Sequence, residues 1–135
     1  MAWNVSPSSG ELTLLLEAGL ICRAARRFEA AREIFSGVRA MRPASETPEI
    51  LLGTVCFGER RFDAAMEHYR TALRLNPRSA YGWAQLAESQ IFVNDPKGAA
   101  VSARKALQLD PDGPFGNLAS ALLAYIAEGR RRHDD

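Results

Sequence analysis

The chain has 135 residues, with 17 Lys plus Arg against 16 Asp plus Glu, which fits one domain and leaves almost no net charge to steer it toward nucleic acid or an anionic membrane. Apolar residues make up 47% and charged residues 24%, an ordinary globular balance that excludes a disordered or collagen-like chain. Two biases stand out, 22 alanines and 15 arginines against two lysines; the first favours close-packed helices, and the pair suggests a GC-rich bacterial genome.

In chain order, the segment 1–11 has no basic stretch before its apolar run, and that run, 12–22, is broken by Glu17. Neither a signal peptide nor a membrane span is expected, and the default location is cytoplasmic. Ser8 and Glu11 form a capping box that predicts a first helix over about 11–24, with its partner over about 27–41. Pro48 starts a third helix, whose partner covers about 62–75. A further pair spans about 81–93 and 96–109, with Asp95 as cap and Pro96 in the first turn. Beyond Asp112, Gly113 and Pro114, the run 115–128 reads as a seventh helix and 129–135 as a polar tail.

A repeat organises these elements. Pro43, Pro77 and Pro111 fall 34 residues apart, each closing a helix. In the same register stand Gly19, Gly53 and Ala87; Ala31, Ala65 and Ala99; Phe35, Tyr69 and Ala103; and Val38, Ala72 and Ala106. Two antiparallel helices cross closely where one presents Gly or Ala and the other Ala, with an aromatic filling the adjacent gap. Phe28 and Phe62 add a matching aromatic at the turns.

These residues resemble the tetratricopeptide repeat, whose pattern is Trp-x2-Leu-Gly-x2-Tyr, Ala-x3-Phe, then Pro. Leu52, Gly53, Phe62, Ala65, Tyr69 and Pro77 match it best, and the third block supplies Trp83 and Leu86. The resemblance implies an all-α fold: three helix pairs (12–45, 46–79 and 80–113) in a right-handed superhelical solenoid, closed by a capping helix over 114–128 that covers the apolar face of the last repeat. The tyrosine place after the small residue holds Cys22, Cys56 and Gln90. Both thiols are expected to be free and packed, with no His nearby to activate them and no disulfide between them.

No catalytic motif is present. There is no phosphate-cradling glycine loop, no GxSxG elbow and no metal-ligand spacing among two Cys and two His. We read the chain as no enzyme, with no cofactor and no metal. His68 is expected to be solvated or edge-packed, and the arginines of the first repeat and of 130–132 to form a solvated face and tail, since no aromatics interleave them as nucleic-acid binding requires.

The resemblance implies that the first helix of each pair lines a concave side. Helical spacing then selects Thr13, Leu16, Leu20 and Arg23; Thr47, Ile50, Thr54 and Phe57; Tyr81, Ala84, Glu88 and Ile91; and Phe115, Leu118, Leu122 and Tyr125. The groove residues expected to bind protein are Leu16, Leu20, Ile50, Thr54, Phe57, Tyr81, Ala84, Ile91, Leu118, Leu122 and Tyr125. Repeats that clamp the acidic C-termini of heat-shock chaperones need Lys, Asn and Arg there; the matching places hold Leu16, Leu20, Leu51, Tyr81 and Gln85. An apolar groove suits an amphipathic helix or an extended segment with buried anchors. Packing of these residues on neighbouring helices, or on an N-terminal segment carrying Trp3, is the plainer alternative, and homo-oligomerisation through the strip is a third.

Three repeats and a cap also resemble, in layout, the small cytoplasmic chaperones of type III secretion. That resemblance implies a groove holding an amphipathic segment of a secreted needle or translocator subunit, with a small helper protein as a further partner. The rival reading is a structural scaffold or self-assembling adaptor. Neither nucleic acid nor membrane is an expected partner.

Overall fold

Each helix starts where the sequence offers a cap or a proline. The computed structural model describes residues 8–134, so Trp3 and the first seven residues lie outside the described residues. Among these the order is α1 (Ser9–Ala24), α2 (Phe28–Met41), α3 (Thr47–Gly58), α4 (Phe62–Leu75), α5 (Ala80–Phe92), α6 (Pro96–Leu109) and α7 (Pro114–Asp134). Ser8 Oγ accepts from the Glu11 amide and Glu11 Oε2 from the Ser8 amide, both at 3.2 Å, closing the capping box. Ser79 and Asp95 cap α5 and α6 through the amides of Gly82 and Gly98.

Inside each pair the turn has one geometry. Arg26, Arg60 and Asn94, 34 residues apart, have φ of 61°, 62° and 61°, and the next amide in each case (Arg27, Arg61, Asp95) donates at 2.8 Å to the carbonyl of Cys22, Cys56 or Gln90. This is a left-handed helix closure usually filled by glycine; no glycine marked it in the sequence. The last helix also runs to Asp134, so 129–134, expected as a polar tail, is helical.

The crossings follow the register. A Cβ on Gly19 would overlap the Phe35 ring, and one on Gly53 the Tyr69 ring, so each glycine admits an aromatic from the partner helix. The third crossing uses Ala87 against Ala103, both fully buried, and Trp83 of α5 with Phe115, Leu118, Leu122 and Leu123 of α7 packs around it. Trp83 Nε1 donates to Pro77 O at 2.8 Å and ties α5 to the preceding loop. Helices α2, α4 and α6 each pack on the first helix of the next unit, while α3 packs on α5 and α5 on α7. The first helices therefore lie on the tighter, inner side of the stack.

One polar network crosses three helices. Glu49 of α3, 8% exposed, takes Arg39 Nη1 of α2 at 3.3 Å on Oε1 and His68 Nδ1 of α4 at 2.9 Å on Oε2. His68 also stands close enough to the Cys56 side chain to feel it, which corrects the expectation that no His stands near either thiol. The reason is the register: 56 and 68 are the places of Gln90 and Ser102, which form a buried 2.7 Å hydrogen bond in the next repeat. Cys56 itself is buried, so the pair packs rather than meeting a substrate.

The Cys56 contact is the largest influence raising the His68 pKa above 6.5, burial opposes it and Glu49 adds to the rise. The fold thus holds this proton more tightly than the unfolded chain does. The resulting stability is fully present below the unfolded value of about 6.5 and is lost as pH rises through the higher folded value. Thermal unfolding across this range should show that loss in the native chain and not in His68→Gln; equal pH slopes would contradict it.

Candidate protein-binding groove

The ends of α1, α3 and α5 and the inner face of α7 form two adjoining open cavities. The first, about 430 Å³, is lined by Arg23, Arg26, Phe28, Thr54, Phe57, Gln85 and Glu88, with Ala24 and Gly58 at its edge. The second, about 530 Å³, is lined by Glu88, Ile91, Phe92, Leu122 and Tyr125. Glu88 belongs to both. A third hollow of about 490 Å³ continues from Ile91 and Tyr125 toward Asn94, Arg130 and Arg132.

Of the residues expected to form the groove, Thr54, Phe57, Ile91, Leu122 and Tyr125 line these cavities. Leu16 and Leu20 are half-buried against the cluster of Phe35, Leu51 and Val55. Leu118 packs on the alanines of the third crossing, and Tyr81 stacks on Phe115 with centroids 4.7 Å apart and planes at 21°. Ile50 and Ala84 are 1% and 0% exposed, so they are interior and present nothing to a partner. Helix α3 is apolar on nearly every side, burying Pro48 through Gly53, and spacing alone does not say which side faces out.

Phe92 is the residue that sequence reasoning missed. It is 52% exposed and lies 5.1 Å from both Phe57 and Phe62, stacked on Phe62 and edge-on to Phe57. The available signal was a large aromatic where the other repeats carry Ala24 and Gly58. Gly58 is small because Phe28 occupies its space, a Cβ there falling 2.7 Å from Phe28 Cε1. In the third repeat Phe92 instead extends the aromatic surface outward.

Polar groups concentrate in the first cavity, where Arg23, Arg26, Thr54, Gln85 and Glu88 stand beside Phe28 and Phe57, while the second is apolar apart from Glu88. Arg23 Nη1 donates to Thr54 Oγ1, whose own hydroxyl donates to Leu51 O at 2.7 Å. Burial raises the Tyr81 pKa, with Arg23 pulling the other way. Burial alone raises that of Glu88. Among the described residues no group of His, Cys, Asp and Glu side chains could hold a metal ion, and no helix is long and apolar enough to cross a membrane.

A stack of helix pairs with small residues at each crossing and an inner layer of first helices is the architecture of a tetratricopeptide solenoid. The chain carries a tetratricopeptide repeat over residues 50–79. No curated protein matches it in sequence. Its fold is similar to that of the Yersinia enterocolitica type III secretion translocator chaperone SycD, at TM-score 0.80 and 16% identity over 91% of this chain and 96% of SycD. It is similar also to PcrH in complex with the chaperone binding region of PopD, at 0.77 and 18% over 96% and 98% of the two chains. The first tetratricopeptide domain of Spaghetti (RPAP3), bound to the HSP90 peptide SRMEEVD, gives 0.77 and 15% over 95% and 99%.

Proposed function

We propose that this chain is a non-enzymatic, cytoplasmic protein-binding module whose inner cleft holds an amphipathic, aggregation-prone segment of a secreted subunit, as a type III secretion chaperone does. The observation that carries the reading is the continuous apolar wall from Phe57 through Phe92 to Tyr125, with Phe92 52% and Tyr125 63% exposed. A strip of this kind left open on a folded chain is a recognition surface more often than an accident of packing. Its fold neighbours include PcrH with a bound chaperone-binding region, which supports a peptide-sized occupant. The other neighbour's ligand fits less well, because Leu16, Leu20, Leu51, Tyr81 and Gln85 stand at the carboxylate-clamp places and the two arginines of the first cavity are held by Thr54 and the Phe28 ring.

Calorimetric titration with two probes tests this. An 18-residue synthetic helix with leucine on one face and glutamine and serine on the other should bind with a dissociation constant on the order of micromolar. The acidic peptide SRMEEVD should not bind. Binding of SRMEEVD without binding of the leucine-faced helix would overturn the reading.

A further inference from the structure

Glu88 is placed unlike any other acid among the described residues. It stands midway along α5, lines both inner cavities, and is flanked by Phe57 on one side and by Ile91, Phe92 and Leu122 on the other. Among the described residues it enters none of the ion pairs, which engage Glu29, Glu49, Glu59 and Glu67 instead. The two cations nearest in the same cavity are otherwise occupied. Arg23 donates to Thr54 and faces the Tyr81 hydroxyl, and the Arg26 guanidinium lies over the Phe28 ring at 5.2 Å.

A carboxylate on the wall of the apolar second cavity costs desolvation that an arriving cation offsets. From this placement we infer that the bound segment carries one lysine or arginine next to an apolar anchor, the anchor filling the cavity of Ile91, Phe92, Leu122 and Tyr125 and the basic group pairing with Glu88. The inference rests on the inner cleft being the binding site and adds to it the register and charge of the occupant. Burial has already pushed the Glu88 carboxyl above its ordinary value with no cation drawing it back. A partner's ammonium or guanidinium supplies the missing counter-charge, and a partner carboxylate at that place is rejected, so one residue sets both affinity and orientation.

The test uses the full chain and the leucine-faced helix, with a single lysine or glutamate scanned along the edge of the leucine face. At one scanned position the lysine helix should bind about tenfold or more tighter than the glutamate helix, the range of a hydrogen bond to a charged group. Glu88→Gln should shrink that ratio to about twofold or less, and Glu88→Lys should invert it, with helicity by circular dichroism unchanged in both. If lysine and glutamate helices bind alike at every position, or the preference survives Glu88→Gln, the inference fails while the cleft reading stands. If no leucine-faced helix binds at all, both fall together.

Discussion

Tyr69→Ala is expected to cost about 3–5 kcal/mol, the range for removing a buried aromatic, and Gly53→Ala about 1–3 kcal/mol, the range for overpacking. Both act at the central crossing, where the buried Tyr69 ring lies against the bare backbone of Gly53 and has no room to yield. For a chain whose whole stability is on the order of 5–15 kcal/mol, the first change alone should leave a large unfolded fraction at physiological temperature. Tyr69→Phe separates ring from hydroxyl. Tyr69 Oη and Ser89 Oγ are buried with no hydrogen bond of ordinary length satisfying either. Removing the hydroxyl should therefore be neutral or stabilise by up to about 1 kcal/mol. Urea unfolding followed by circular dichroism measures all three. A neutral Gly53→Ala would show that the ring has space the register does not predict.

The second large effect is on binding. Tyr125→Glu, at a residue 63% exposed, places a carboxylate on the wall of the second cavity, beside Ile91 and Leu122 and near Glu88, where like charge and desolvation combine. Affinity for the leucine-faced helix should fall at least about thirtyfold, the scale of an interface hot spot, with little change in helicity. Ile50→Glu is a poor test of the same idea. Ile50 is interior to the α3–α4 cluster, so a carboxylate there unfolds the repeat and removes binding for an unrelated reason. Affinity lost only in step with unfolding, across several cleft variants, would show that the cleft is ordinary core.

The 34-residue register made much of the fold readable. Gly19, Gly53 and Ala87 mark the crossings, Phe35 and Tyr69 fill the first two, and Ser8 with Glu11 places the first helix start to within two residues. What the register could not reveal has physical causes. The left-handed turn residues Arg26, Arg60 and Asn94 carry no glycine signal, since the helix closure around them stabilises the conformation whatever the side chain. The Cys56 to His68 contact becomes visible only when Gln90 and Ser102 are recognised as its equivalent.

In the cleft the division is similar. Of the residues that helical spacing selected, Thr54, Phe57, Ile91, Leu122 and Tyr125 line the cleft. On α3, apolar almost all round, and on α5, buried on more than one side, it also selected Ile50 and Ala84, which the neighbouring helices cover. Phe92 was missed because it interrupts the repeat instead of obeying it. Departures from the register, Phe92 and Glu88 above all, are where the third repeat becomes particular.

Mapping amide shifts of the ¹⁵N-labelled chain during titration with the leucine-faced helix tests the central claim most directly. Saturable shifts should concentrate at Thr54, Phe57, Glu88, Ile91, Phe92, Leu122 and Tyr125, with the exposed positions of α2, α4 and α6 unmoved. Shifts confined to those outer helices, or none at saturating peptide, would contradict the account.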